Sequence, residues 1–155
     1  MGPELENAIA EVTLRMRLIR ALQEEQHPTV PLSEREVMIL ELLDKRGKMS
    51  ISEIAASIPK LSDSTVSTSV TKLWRDKHLV SKTISPDNQR TTIVELTEGG
   101  KKAIETINNQ RTERFKALFQ ALEMSDGEKE VFVNILNRMI PFFDKYLGLD
   151  KRPIQ

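Results

Sequence analysis

The chain of 155 residues contains no cysteine and only two histidines, His27 and His78. It can therefore form no disulfide, no thiolate metal site and no thiol-based redox switch, and two imidazoles offer little to a zinc centre. The sequence lacks any run of about 18 apolar residues, the length that spans a bilayer. No apolar segment with a cleavage signal follows its start. These absences predict no metal, no cofactor, no membrane contact and an intracellular, cytoplasmic protein.

Net charge is absent as well, because 23 lysines and arginines balance 23 aspartates and glutamates. For contacts with a polyanion, however, the distribution of charge matters more than the total. Residues 48 to 90 carry seven bases against four acids, a surplus of three, and the other residues carry the matching deficit. The middle of the chain is therefore mildly basic, within an acidic frame.

Apolar residues at alternating steps of three and four predict a first helix over residues 4 to 26, which Pro28 and Pro31 end. The residues of this stripe are Leu5, Ile9, Val12, Met16, Ile19 and Leu22. Three further helix starts are predicted by capping boxes. In each box the serine hydroxyl accepts a hydrogen bond from the glutamate amide, and the glutamate carboxylate accepts one from the serine amide. The boxes are Ser33 with Glu36, Ser50 with Glu53, and Ser125 with Glu128.

The ends of these three helices are also marked in the sequence. The helix after Ser33 should end at Gly47, and the short helix after Ser50 should end at Pro59. The last helix should run from about residue 127 to 147, where Pro141 predicts a kink or a break near Asn137.

The segment LSDSTVSTSVTKLW, residues 61 to 74, contains seven serines or threonines, which are indifferent residues for a helix interior. A helical spacing nevertheless places Val66, Val70 and Leu73 on one face. Ser62 suits the N-cap of this helix. The face opposite Val66 carries short hydroxyls with bases at its edge, so this helix could approach another surface closely.

After His78 the pattern becomes extended. Residues 79 to 85 and 91 to 96 are rich in Val, Ile and Thr, and the intervening SPDNQR suits a turn, with Pro86 and Asp87 in a type I geometry. This predicts a β-hairpin, after which Thr97 caps another long helix.

A helix, a short helix, a tight turn, a second helix and a hairpin make up the plan of a winged helix-turn-helix. The fold class predicted is therefore mainly α with a small β-hairpin wing, flanked by N-terminal and C-terminal helices. A hydroxyl-faced helix fits a major groove about 12 Å wide, where its amides and hydroxyls can meet phosphates and base edges. The amphipathic helices at the two ends need a partner surface, and self-association would supply one.

The segment MSISEIAASIPKLSDSTVSTSVTKLWRDKHLVSKTISPDNQRTTIVELTEGG resembles the winged helix-turn-helix of the multiple-antibiotic-resistance-regulator (MarR) family. Its most specific parts are SDSTVS, the LV after the second helix, and R-x-x-x-V-x-L-T-x-x-G from Arg90 to Gly100. The resemblance covers nearly the whole chain. It implies a single domain of residues 1–155, with a DNA-binding region at 33–99 and dimerisation helices in 1–32 and 100–155.

The resemblance also implies a function, namely that of a homodimeric transcription regulator, usually a repressor. Such a dimer reads a pseudo-palindromic operator in double-stranded DNA, with its recognition helices in successive major grooves and its wings in the minor grooves. A small-molecule effector between the dimer helices and the winged region is a further implied partner. The DNA-binding residues expected from the match and from the hydroxyl-rich face are Ser62, Ser64, Thr65, Ser67, Thr68, Thr71, Lys72 and Arg90. Asn88 stands where the family usually carries the wing aspartate.

Other interpretations are open at this stage. A winged-helix protein-interaction module that binds no DNA is the main rival, and an enzyme is a distant third because no catalytic arrangement of residues stands out. The segment EGGKK lacks the spacing of a phosphate loop and fits a helix start. We expect Trp74 to pack against neighbouring elements and His78 to cap the end of its helix. The side chains that could line an effector cavity, or equally form plain core, include Met16, Met38 and Phe115.

Overall fold

The computed structural model describes residues 2–26 and 32–148, and for residues 23–26 it describes the backbone alone. Helices and strands follow one another in this part of the chain as α1 (Pro3–Gln26), α2 (Glu34–Arg46), β1 (Met49–Ser50), α3 (Ile51–Ser57), α4 (Asp63–Arg75), β2 (Val80–Ile84), β3 (Thr92–Leu96), α5 (Glu98–Ala121) and α6 (Asp126–Leu147). The predicted fold class, mainly α with a small hairpin, is confirmed. Two compact units divide the chain, with the boundary between Ser33 and Glu34.

The first unit consists of α1. All of its described side chains, up to Leu22, are exposed, including the whole predicted stripe. Leu14 and Leu18 are exposed as well, and at 100° per residue they lie outside that stripe, so the apolar surface of α1 extends beyond one face. The two prolines predicted to end this helix lie outside the described residues.

Helix starts in the second unit follow the capping residues seen in the sequence. The hydroxyls of four N-cap residues accept the amide three positions on, and these residues are Ser50, Ser62, Thr97 and Ser125. At Ser125 the box is complete, because its hydroxyl accepts the Glu128 amide at 3.2 Å and its own amide donates to the Glu128 carboxylate at 2.8 Å. The Ser125 hydroxyl also lies 2.9 Å from the same carboxylate and donates to it. The two hydrogen bonds to the carboxylate, the backbone one foremost, lower the pKa of the Glu128 carboxyl below its ordinary value.

The core lies within the winged region. Its buried apolar side chains are Ile39, Leu40, Leu43, Met49, Ile54, Ala55, Ile58, Val66, Val70, Leu73, Val80, Val94 and Ile104. They come from α2, α3, α4, the three strands and the first turns of α5. The predicted stripe of α4 is therefore confirmed as its core-facing side.

A buried ion pair joins α2 to the segment that follows α4. Glu36 belongs to α2, and Lys77 lies two residues beyond the end of α4. The Lys77 ammonium donates a hydrogen bond to the Glu36 carboxylate at 2.6 Å. Both side chains are largely buried, 5% exposed for Glu36 and 16% for Lys77. The sequence predicted Glu36 only as a capping residue and gave no sign of this pair, since its members are 41 positions apart.

Three strands form an antiparallel sheet in the order β1, β3, β2. The hairpin was predicted correctly, with Val80 opposite Leu96 and Ile84 opposite Thr92. Strand β1 was not predicted, because two residues carry no periodicity; it pairs Ser50 with Ile93.

The turn of the hairpin lies later than predicted. Pro86 and Asp87 only bend the chain, whereas the hydrogen-bonded turn spans residues 88 to 91, with the Thr91 amide donating to the Asn88 carbonyl at 2.9 Å. The Asn88 side chain accepts the Arg90 amide at 3.0 Å. An asparagine that bonds the amide two residues on forms a turn by itself, and this local bond outweighs the Pro-Asp signal.

The chain reverses after α4 through His78, whose φ of 56° lies in the left-handed region. The Leu79 amide then returns to the Leu73 carbonyl at 2.9 Å. The His78 carbonyl accepts the Thr97 hydroxyl at 2.7 Å. The C-cap of α4 is Asp76, so the prediction that His78 caps this helix is wrong. His78 lies two residues further on and shapes the bend through its backbone.

The first turn of α5 lies in close contact with the bend after α4. A Cβ atom added to Gly100 would lie 2.1 Å from the Leu79 carbonyl oxygen, whereas one added to Gly99 would meet nothing closer than 3.6 Å. The second glycine of EGGKK is thus required by the close approach of two backbone segments.

Helix α6 continues through Pro141 to Leu147, so the predicted break near Asn137 is absent. None of its residues is buried. The large apolar side chains exposed on this helix are Val131, Val133, Ile135, Leu136, Met139, Ile140, Phe142, Phe143, Tyr146 and Leu147. Met16, Met38 and Phe115 are likewise exposed, so the interpretation of these three as plain core is wrong within a single protomer.

Within the described ranges, none of the helices is both long and apolar enough to cross a membrane.

Candidate nucleic-acid interface

The hydroxyl-rich helix is α4. Its buried side consists of Val66, Ser69, Val70 and Leu73. The opposite side exposes Ser64, Thr68, Lys72 and Arg75 to solvent. The face predicted for DNA contact is therefore free in the protomer, and it runs along the whole helix.

The threonine hydroxyls of this face bond back to their own helix. Thr68 donates to the Ser64 carbonyl at 3.0 Å, and Thr71 donates to the Ser67 carbonyl at 2.9 Å. This pattern satisfies the hydroxyl hydrogen at some cost in helix stability. Each hydroxyl oxygen still has acceptor capacity. The face in this state therefore presents acceptors and threonine methyl groups, which suit base amino groups and the thymine methyl.

At the start of α4 the hydroxyls form a cluster around Ser62. The Ser62 oxygen accepts the Thr65 amide at 3.2 Å and lies 2.9 Å from the Thr65 hydroxyl and 3.2 Å from the Ser64 hydroxyl. Ser62 and Thr65 are thus committed first to capping the helix, whereas Ser64 extends to its exposed side.

Two open depressions border the exposed face of α4. The first, of about 370 Å³, lies towards the wing, and we call it the wing depression; its lining is Ser50, Ile51, Ser52, Asp63, Ser64, Ser67, Arg90, Thr91 and Thr92. The second, of about 340 Å³, is lined by Ser67, Thr68, Thr71, Lys72, Arg75 and Asp76. Six of the eight predicted residues therefore line one or both depressions, with Ser67 shared.

The predicted wing residue, Arg90, shares a depression with residues of α4. Arg90 is exposed and lies on the wing depression with Ser64 and Ser67. Asn88 holds the Arg90 backbone amide, so the side chain that replaces the expected aspartate shapes the turn. Among residues 2–26 and 32–148, the Arg90 guanidinium forms no ion pair and is available for an anion.

Sequence reasoning predicted three of the nine residues that line the wing depression, and the six that it missed include Ser52 and Asp63. The Ser52 hydroxyl donates to the Asp63 carboxylate at 2.9 Å and joins the starts of α3 and α4. In the sequence, Asp63 is only an acidic residue in the first turn of the predicted helix. It lies in the wing depression because α3 and α4 contact each other. A carboxylate at this edge can accept from a cytosine amino group and repels a nearby phosphate.

Nothing in the described part of the chain groups three His, Asp or Glu side chains closely enough to hold a metal ion.

Comparison with known proteins agrees with this geometry. Residues 32–100 match the family model described as a winged helix DNA-binding domain. The uncharacterised HTH-type transcriptional regulator YpoP of Bacillus subtilis (strain 168) is 27% identical over 108 residues, which cover 70% of this chain and 74% of YpoP.

Solved structures share the fold at low sequence identity. Streptococcus pneumoniae FabT, solved in complex with DNA, has a TM-score of 0.72 at 16% identity, over 92% of this chain and 97% of FabT. A MarR family protein from Bacillus stearothermophilus has a TM-score of 0.68 at 21% identity, over 89% of this chain and 96% of that protein.

Residues 32–100 are thus similar to a winged helix DNA-binding domain, which supports DNA as the partner. Its fold, a winged helix with long helices before and after it in the chain, is similar to the folds of these two solved proteins. YpoP is described as an HTH-type transcriptional regulator and the Bacillus stearothermophilus protein as a MarR family protein, which agrees with the resemblance seen in the sequence.

Proposed function

We propose that the protein is a homodimeric repressor that binds a pseudo-palindromic operator in the cytoplasm, with α4 of each protomer in a major groove. The observation that carries this proposal is the wing depression, where Ser64 and Ser67 of α4 lie with Arg90 of the wing. One element can enter the major groove while the other reaches the neighbouring minor groove. For a twofold dimer the half-sites lie about one helical turn, roughly 34 Å, apart.

The roles proposed for the side chains follow from their places. Ser64, Ser67, Thr68 and Thr71 face base edges and the thymine methyl. Lys72 and Arg90 are cationic and exposed, so Lys72 contacts a phosphate and Arg90 enters the narrow, electronegative minor groove. Ser62 and Thr65 act mainly by holding the start of α4 in place.

Substitutions at neighbouring positions of α4 separate these roles. Thr68→Ala should change which sequences are preferred, with about 1 kcal/mol lost at the base that Thr68 contacts. Lys72→Ala should weaken binding to all sequences alike. It should also make the slope of the log association constant against log salt concentration shallower by about 1. Selection of bound fragments from random DNA, at two salt concentrations, measures both effects. Equal losses on every sequence for both variants would contradict the assignment.

The dimer is supported by exposed apolar surface at both ends of the chain. Helix α1 exposes eight large apolar residues and α6 exposes ten. A helix that is apolar beyond one stripe is normally covered, and large exposed apolar patches mark interaction sites. A second copy of the chain supplies a matching surface through twofold symmetry.

A charge placed in that surface tests the dimer. The wild-type protein should sediment as two copies at micromolar concentration, whereas Phe143→Glu should sediment as one and retain its helix content. Asn134→Glu is the matched control, because 100° per residue places it on the polar face of the same helix. A wild-type protein that sediments as a single copy refutes the homodimer.

An effector remains part of the proposal. Bordetella bronchiseptica BpsR, whose solved structure has a TM-score of 0.55 with this chain, is a protein in which 6-hydroxynicotinic acid regulates DNA binding. In this chain Met38 and Leu42 of α2 line an open cleft of about 260 Å³ together with Ile58, Pro59 and Leu147. A small molecule regulates DNA binding only if it prefers one spacing of the two α4 helices over another.

A further inference from the structure

The last turn of α4 carries the only tryptophan of the chain, Trp74. It lies beside β2, one of the two edge strands of the sheet, and remains 41% exposed. The Lys82 ammonium of β2 lies 4.9 Å from the centre of the indole ring, and the Arg75 guanidinium carbon lies 5.9 Å from it. One aromatic ring therefore holds two cations, one from the helix and one from the wing.

No ion pair within the described part of the chain neutralises either of these two cations, although Asp76 lines the second depression together with Arg75. In the described residues neither Arg75 nor Lys82 forms an ion pair, although several other bases of the chain do. A cation over an aromatic face is attracted by the ring quadrupole. Two cations near one ring also repel each other, and an anion between or beside them relieves that repulsion.

The position of the ring relates it to the DNA-binding face. Arg75 lines the second depression with Thr68 and Lys72. Ser67, seven residues before Trp74, lies on the same flank of α4, because seven residues complete almost two turns. The ring and its cations therefore continue the wing-facing flank of α4 at the end opposite Ser64.

We propose that Trp74 is a positioning residue that holds Arg75 and Lys82 as a two-cation site for the phosphate backbone of DNA, between α4 and the wing. The expected anions are backbone phosphates of the strand that borders the major groove. This inference rests on the proposed placement of α4 in that groove. Trp74 then has a role in DNA binding as well as in packing, because its ring attracts Lys82 of the wing and places this cation near α4.

The test measures the salt dependence of binding to a mixed-sequence duplex of about 30 base pairs, for which no operator is needed. The logarithm of the association constant falls as the logarithm of the salt concentration rises. Arg75→Ala and Lys82→Ala should each make this negative slope shallower by about 0.9 per protomer in contact with the duplex. Trp74→Leu removes no charge and keeps an apolar side chain, yet it should make the slope shallower as Lys82→Ala does. Trp74→Phe retains an aromatic face and should keep the wild-type slope.

Two controls make the result specific. Lys102→Ala removes an exposed cation of α5 and should leave the slope unchanged. The fluorescence of Trp74, unmixed with that of any other tryptophan, should change on addition of the duplex with the same Kd as binding.

The outcomes distinguish this inference from the proposed function. A wild-type slope in Arg75→Ala, Lys82→Ala and Trp74→Leu, together with a shallower slope in Lys72→Ala and Arg90→Ala, overturns the two-cation site and leaves the DNA-binding mode standing. A slope unchanged in all five variants overturns the proposed DNA-binding mode as well. If only Trp74→Leu keeps the wild-type slope, the two cations bind phosphate without the ring, and the role given to Trp74 is wrong.

Discussion

Gly100→Ala should lower the free energy of unfolding of the protein by about 3 kcal/mol, at the upper end of the effects of overpacking. The reason is space. The new methyl group would lie 2.1 Å from the Leu79 carbonyl oxygen, which is backbone and cannot rotate away. The first turn of α5 must then move from the bend after α4, and the Thr97 hydroxyl bond to His78 should lengthen. Urea unfolding followed by circular dichroism measures the change.

Gly99→Ala is the matched control for this substitution. Its methyl group would meet only ordinary contacts, the nearest at 3.6 Å, and alanine is the better helix former by roughly 0.5–1 kcal/mol. Its stability should therefore stay equal to that of the wild type or rise slightly. Equal stabilities for the two alanine variants would show that the two backbone segments do not lie as close as described.

Lys77→Met should lower the free energy of unfolding by about 3 kcal/mol, because it leaves the Glu36 carboxylate buried without its cation. The pair is almost enclosed, with Glu36 only 5% exposed. It also joins the end of α4 to α2, so α4 should be held less firmly in the variant. Denaturant unfolding gives the stability, and hydrogen exchange of the last turn of α4 gives the local effect.

The pair Lys101–Glu98 supplies the comparison. It lies at 3.3 Å with both side chains largely exposed, and exposed pairs contribute about 0–1 kcal/mol. Lys101→Met should therefore change stability little. In the double variant Glu36→Met with Lys77→Met, most of the loss should be regained, because replacing both members of a buried pair by apolar residues is often neutral. If the double variant is as unstable as Lys77→Met, the loss comes from packing and the electrostatic account fails.

The features that could be predicted from the sequence are those that depend on residues close together along the chain. Capping residues and apolar stripes involve neighbours three or four positions apart, and the predicted starts at Ser50, Ser62 and Ser125 are confirmed. The hairpin was found for the same reason. Its turn was misplaced because two local signals competed, and the Asn88 side chain prevailed over the Pro-Asp dipeptide.

Features that join distant segments were not predictable in this way. The Glu36–Lys77 pair, the Ser52–Asp63 bond and the closeness of Gly100 to Leu79 all depend on how helices and strands pack. The candidate site follows the same division. The exposed face of α4 was inferred from spacing alone, whereas its place beside Arg90 required the three-dimensional arrangement.

Ser50 belongs to two elements at once. Its backbone pairs with Ile93 in the sheet, and its hydroxyl accepts the Glu53 amide that begins α3. A tilt of the wing relative to α3 would therefore strain the first turn of α3. Because the Ser52–Asp63 hydrogen bond joins α3 to the start of α4, we expect the wing and α4 to turn together.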